Sequence, residues 1–277
     1  MNESERYIQT AHGKIYYWYS AGRLEYPTIV FLHGLSANHL TWRPVIKELT
    51  AAGYNCLVPD LRGHGHSDKT KTPSFYRLQQ FSEDLQQIIE NEKLSRSFLV
   101  GYSFGGSIAF DYASQWTDTL AGIVLISANH RDPLIYHRLG WFAPIFRVGL
   151  SALAFMLLWQ KRAVYRYYQP DSAAGYWHSV WAGLQTMPLS VNLWLMRETA
   201  RLDLAAEIKR VNVPTLLIHS ARDPFLTKRE ISEITQSIPG ATVITAEHAG
   251  HFIASQAPTE LLDILFNFLG KHAHRNI

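Results

Sequence analysis

One serine of this chain stands in a setting suited to nucleophilic chemistry. Gly101-Tyr102-Ser103-Phe104-Gly105 follows the apolar run Phe98-Leu99-Val100 and precedes Ser107-Ile108-Ala109-Phe110-Asp111-Tyr112-Ala113. A short buried strand therefore turns directly into a helix at a serine between two glycines, the pattern of a nucleophile elbow. So tight a turn leaves no room for side chains at its flanks. Gly101 and Gly105 meet that demand, and Gly106 lets the helix lie close to the sheet. The turn strains its central residue and aims the hydroxyl into open space. The helix start behind it offers unpaired N–H groups and the positive end of a dipole. Ser103 is the candidate nucleophile; the bland alternative is a serine that only caps a helix.

Other reactive side chains carry weaker signals. Cys56, the single cysteine, lies in the apolar run Cys56-Leu57-Val58 and reads as a small core residue; one cysteine allows no internal disulfide. His64 and His66, with Asp60 and Asp68 nearby, have poor metal spacing and no third fixed ligand, so no metal and no cofactor are expected. The chain has 277 residues, is 47% hydrophobic and carries a net charge of +3 spread along its length. Basic side chains that do not cluster give no footprint for nucleic acid. Residues 1–10 include Glu3, Glu5 and Arg6 and contain no apolar signal core, so a cytoplasmic location is expected.

The elements that must position these groups follow from periodicity and turn residues. Segments 6–10 and 14–20 read as a hairpin around Ala11-His12-Gly13. Short apolar strands are predicted at 28–32, 55–58, 98–100, 122–126, 215–219 and 242–245. Helices are predicted at 44–52, 75–93, after Ser103, at 228–237 and at 259–269. Strands alternating with helices imply a mostly parallel sheet covered on both faces. The rhythm breaks between about 129 and 206, which divides the chain into a core of 1–128 and 207–277 and an inserted helical cap of 129–206. Ligands of parallel sheets bind outside the carboxyl ends of the strands. His33-Gly34, the Asp60 loop, Ser103, Asp223 and His251 all fall just after strands.

This set of motifs resembles the alpha/beta-hydrolase fold family, in its capped, serine esterase-like branch, from about residue 6 to 270. The likeness is carried by the Gly-Tyr-Ser-Phe-Gly elbow, His33-Gly34, the loop Asp60-Leu61-Arg62-Gly63-His64-Gly65-His66-Ser67, Arg222-Asp223-Pro224 and Gly250-His251-Phe252. It implies an α/β fold with an eight-stranded, mostly parallel central sheet, helices on both faces and an inserted cap. It also implies roles. Ser103 attacks, His251 accepts and returns the proton, and Asp223 orients the imidazole, in the family order of nucleophile, acid and histidine. Asp132, in Asp132-Pro133, is the alternative acid, and His248 is the second candidate base. Backbone N–H groups of Leu35 and Phe104 are the expected oxyanion hole. No Gly-Gly-Gly run follows His33, which argues against the lipase branch that uses that loop. His33, Gly34, Tyr102, Trp141, Trp181, Phe225 and Phe252 are the expected pocket residues, while Asp60 and Arg62 shape the neighbouring loop.

Five of the eight tryptophans, Trp141, Trp159, Trp177, Trp181 and Trp194, lie in the insertion, with Tyr136, Tyr165, Tyr167, Tyr168 and Tyr176. A cap needs its own core, and an aromatic wall over Ser103 also suits a greasy substrate. The stretch 141–159 is apolar apart from Arg147 and Ser151 and is long enough to span a bilayer. A crossing there would place the strands at 122–126 and 215–219 on opposite sides, where they could not share a sheet. Peripheral membrane contact through the cap, with Phe146 and Leu150 as its contacts, is the remaining expectation. The leading functional expectation is hydrolysis of a small lipophilic carboxylic ester. The alternatives are carbon–carbon bond hydrolysis of a diketone-type aromatic metabolite and a non-catalytic small-ligand binder. Epoxide and haloalkane hydrolases of the same family need a carboxylate nucleophile, and position 103 is serine.

Overall fold

A computed structural model of the chain describes residues 2–136, 139–159, 185 and 187–273. Its frame is one eight-stranded sheet in the order β1-β2-β4-β3-β5-β6-β7-β8. The strands are β1 Asn2–Thr10, β2 Gly13–Ala21, β3 Thr28–Leu32, β4 Asn55–Pro59, β5 Ser97–Tyr102, β6 Leu120–Ile126, β7 Thr215–Ser220 and β8 Thr242–Ala246. β1 and β2 pair antiparallel along their whole length, from Asn2 with Ala21 to Thr10 with Gly13. β2 also meets β4 antiparallel, and the remaining six strands run parallel. The amino-terminal strand thus starts earlier than the expected residue 6, because each added residue finds a partner on β2.

The five central parallel strands are buried throughout or nearly so, which explains their continuous apolar runs. Alternate side chains feed two cores. Val30, Leu32, Leu57, Leu99, Ile123, Leu125 and Leu217 face one cluster. Ile29, Phe31, Cys56, Val58, Phe98, Val100, Val124, Ile126, Leu216 and Ile218 face the other. The first cluster is covered by α2 (Leu78–Asn91) and α3 (Phe104–Gln115), the second by α1 (Arg43–Ala51) and the carboxyl-terminal helix 258–273. Each fully buried leucine, isoleucine or phenylalanine contributes roughly 1.5–3 kcal/mol. Cys56 is one of these core residues, and burial pushes its thiol pKa upward.

The helix expected at 75–93 is divided. Pro73–Tyr76 forms a separate 3-10 turn, Arg77 is extended at φ −71° and ψ 142°, and α2 starts only at Leu78. Arg62 is the cause. Its guanidinium is buried, and its Nη1 donates to the Phe75 carbonyl at 2.7 Å while Nε and Nη2 donate to Asp84 at 2.9 and 2.6 Å. That carbonyl is drawn inward and cannot serve a continuing helix.

Between β6 and β7 the chain leaves the sheet as a helical insertion, and the parallel pairing of β6 with β7 keeps both ends on one side. Its described parts include α4 (Pro133–Tyr136), α5 (Ala143–Met156) and α6 (Leu189–Thr199). Trp194 is buried and stacks on Tyr76, its ring centroid 5.7 Å away, which joins the insertion to the core. Trp177, Trp181, Tyr165, Tyr167, Tyr168 and Tyr176 and the side chains of Tyr136 and Trp159 lie outside the described residues. Among the described residues no helix is long and apolar enough to cross a membrane. Beyond β7 the described α-helices are α7 (Lys228–Ser237), α8 (Ile253–Gln256) and α9 (Pro258–Ala273).

Candidate active site

Ser103 sits at φ 52° and ψ −119°, a conformation that a residue with a side chain adopts only where its surroundings force it. Its N–H donates to the Ile126 carbonyl at 2.8 Å, tying the turn to β6. A Cβ on Gly101 would stand 2.6 Å from the Gly105 carbonyl oxygen, and one on Gly106 would stand 2.3 Å from Ala128 Cβ. The amides of Gly106 and Ser107 both reach the Ser103 carbonyl, at 2.8 and 3.2 Å, and close the first turn of α3. The Phe104 N–H, at the first residue of α3, has no acceptor among the described residues.

His251 stands after β8 and meets Asp223, which stands after β7. Nδ1–H donates to both carboxylate oxygens, at 3.1 and 3.2 Å, and the Asp223 side chain is fully buried. Burial alone would raise the Asp223 pKa. The hydrogen bond and charge of His251 outweigh it, aided by the Phe225 amide at 2.9 Å, and hold the carboxyl below its usual value. Ser127, at φ 50°, adds a weaker polar contribution in the same direction without reaching hydrogen-bond geometry. The rings of Phe225, Tyr102 and Phe252 surround the imidazole at 4.9, 5.2 and 5.6 Å. Asp132 is engaged elsewhere, accepting the Leu134 amide at 3.0 Å as the cap of α4. His248 is exposed beside Glu260.

The loop after β3 forms the other side of Ser103. A Cβ on Gly34 would lie 3.0 Å from the Tyr102 ring and 3.3 Å from Ser103 Cβ, so glycine allows this approach. The Leu35 amide, like that of Phe104, has no acceptor among the described residues. His33, expected in the pocket, is instead fully buried. Its Nδ1–H donates to the Gly34 carbonyl at 2.9 Å, and its Nε2 accepts the Leu61 N–H at 3.0 Å. Both ring nitrogens are spent on bracing two loops, leaving neither for a ligand. His64 does the same, donating to the Arg62 carbonyl at 3.0 Å and accepting from the Ser36 amide at 3.3 Å. Asp60 accepts the amides of His39 and His66, at 2.8 and 2.7 Å, and its carboxylate fills the space where Gly65 would carry a Cβ. Trp141, also expected on the pocket wall, is 75% exposed and packs edge-on against Phe142 on the outside of the insertion. Trp181 lies outside the described residues.

Two features had no sequence signal. Ser36, at φ 59°, donates its hydroxyl to Asn192 Oδ1 of α6, so the loop carrying Leu35 is tied to the insertion across 156 positions. Glu230, fully buried, accepts from Asn129 Nδ2 at 2.9 Å and from the His130 amide at 3.1 Å at the base of the insertion. In both pairs the partners are distant in sequence and of common type.

The buried histidines set an acid limit. Burial lowers the His33 pKa from 6.5 to about 4 and pushes His64 well below 6.5. Between those values the unfolded chain binds a proton that the folded chain refuses, so stability is full above about pH 6.5 and falls as pH drops. The loss from His33 alone reaches about 3 kcal/mol near its folded pKa. Asp60, held at about 2 because His39 and His66 outweigh its burial, keeps its contribution throughout that window. Urea midpoints measured from about pH 7 down to about pH 4.5 should decline steadily; a flat profile would contradict neutral, buried rings.

A family described as alpha/beta hydrolase fold matches residues 27–258. The AB hydrolase superfamily protein YfhM of Bacillus subtilis is 24% identical over 271 residues, covering 90% of this chain and 92% of that protein. Epoxide hydrolase 3 of Xenopus tropicalis is 25% identical over 291 residues, covering 94% of this chain and 77% of that protein. The enol-lactonase of Burkholderia xenovorans superposes with a TM-score of 0.72 at 22% identity, covering 96% of this chain and 100% of the other. The match runs from before β3 to the start of α9 and takes in the serine turn and the His251–Asp223 pair: the chain belongs to the alpha/beta hydrolase fold family.

Proposed function

We propose that this hydrolase cleaves carboxylic esters of small lipophilic substrates through a covalent acyl-enzyme. The observation that carries the reading is the His251 imidazole, bonded through Nδ1 to the buried Asp223 carboxylate beside the strained serine turn. That bond leaves Nε2 as the free base. Ser103 Oγ attacks the acyl carbon as its proton passes to Nε2, and the resulting oxyanion accepts the Leu35 and Phe104 amides. Collapse expels the alcohol, which takes the proton from His251. Water then repeats the sequence and frees the acid. Tyr102, Phe225 and Phe252 give the imidazole an apolar surround suited to a greasy substrate. Epoxide hydrolysis, the activity in the name of one relative, needs a carboxylate nucleophile, and the elbow here holds serine.

The purified chain should react with a fluorophosphonate at Ser103 and turn over aryl esters of short and medium acyl chains. Epoxides should remain intact, and a diketone panel should lag far behind the esters. Absence of labelling with no ester turnover would point to a binding protein. Diketone cleavage outrunning every ester would transfer the assignment to carbon–carbon hydrolysis.

A further inference from the structure

We infer that the outer face of α5 is a docking surface for the headgroup region of an anionic lipid bilayer. The helix has 14 residues and is therefore about 21 Å long, and both of its faces are apolar. The inner face is spent on the fold: Ala143, Leu150 and Ala154 are buried, and Phe146 and Leu157 pack against the core. Phe146 and Leu150, the contacts expected from sequence, thus point inward. The outer face carries Ile145, Val148, Phe155 and Met156, which are 61%, 69%, 67% and 73% exposed, and Trp141, 75% exposed, stands in the 3-10 turn Gly140–Phe142 just before the helix. Within the helix, the spacing of three, seven and one residues from Ile145 to Met156 keeps these four side chains within one stripe of a 3.6-residue period. Contiguous apolar area of this kind on a protein surface marks an interaction site.

Charge selects the occupant. From residue 133 to 170 the sequence holds Arg138, Arg147, Lys161, Arg162 and Arg166 and no aspartate or glutamate. Arg147 lies at the border of the stripe, half-buried, with its Nε donating to the Ala143 carbonyl at 3.1 Å. An aromatic and aliphatic face in a purely basic stretch suits insertion among acyl chains beneath phosphate headgroups. Here the body of the protein replaces the polar face of an ordinary interfacial helix. The insertion leaves the sheet at the same edge as Ser103, so a bilayer-bound enzyme would meet lipophilic esters where they partition. The inference stands whichever bond is hydrolysed.

The test is sedimentation of the full chain with phosphatidylglycerol vesicles against phosphatidylcholine vesicles. Binding should be about tenfold or more tighter to the anionic vesicles. Ile145→Asp/Val148→Asp should weaken it by about tenfold or more while leaving the melting temperature and turnover of a soluble aryl ester unchanged. Brominated phosphatidylglycerol should quench the wild-type fluorescence, and Trp141→Phe should lose most of that quenching. Should the double variant fail to fold, this quenching difference decides alone. No pelleting with anionic vesicles, equal pelleting of wild type and a folded double variant, or a lipid-independent dimer that the variant dissolves would each overturn the inference.

Discussion

Ser103→Ala lowers aryl-ester kcat about ten-thousandfold or more and leaves the melting temperature unchanged. In barrier height that is about 5 kcal/mol or more, which no loss of mere substrate contact supplies. Alanine has the same backbone restrictions as serine, so the turn at φ 52° and ψ −119° keeps its strain and its hydrogen bond to Ile126. Ser103→Gly is equally inactive but more stable than Ser103→Ala by about 1 kcal/mol, because glycine tolerates that conformation. Asp223→Asn retains the fold and loses about a thousandfold or more, since an amide no longer holds Nδ1–H of His251 as its donor. A Ser103→Ala enzyme retaining a tenth of wild-type turnover would remove Ser103 from the mechanism.

Gly105→Ala destabilises the protein by about 3–5 kcal/mol or prevents folding. The added methyl would lie 2.5 Å from the Leu32 carbonyl oxygen and 2.7 Å from that of His33. Both contacts are backbone, at the end of β3, so no side chain can rotate away. Relief requires α3 to move off the sheet, which would carry the Phe104 amide away from the Leu35 loop. Gly149→Ala and Gly270→Ala are the matched controls: both sit in helices with nothing within 4 Å of the new methyl. They should stabilise by about 0.5–1 kcal/mol each. Urea unfolding of the three variants separates a steric clash from a general intolerance of glycine replacement. A Gly105→Ala midpoint within error of wild type would show that the close approach of α3 to β3 is not required.

The five central strands are legible in the sequence because a buried parallel strand is an unbroken apolar run bounded by turn residues, as in Thr28–Leu32 and Leu120–Ile126. The helix expected at 75–93 starts later in the structure, at Leu78, for a non-local reason. Apolar spacing continues through Phe75 and Tyr76, but a guanidinium from the loop after β4 captures the Phe75 carbonyl. A histidine just after a strand end, as His33 is, has the right address for a pocket residue. Only the positions of the Leu61 amide and the Gly34 carbonyl reveal that both its nitrogens are occupied. The aromatic composition of the insertion makes Trp141 a candidate for the pocket wall, yet the structure leaves it 75% exposed in the turn before α5.

By itself the amino-acid order determined the rhythm of strands and helices, the glycine-framed serine and the strand-end addresses of Asp223 and His251. These are local properties, governed by side-chain period and by steric demands within a few residues. Tertiary structure decided which carboxylate faces the imidazole, which histidines brace loops, how Asn192 reaches Ser36, and which apolar side of α5 stays in the open. Such choices depend on partners tens to hundreds of residues away, and burial and hydrogen bonding act through space rather than along the chain.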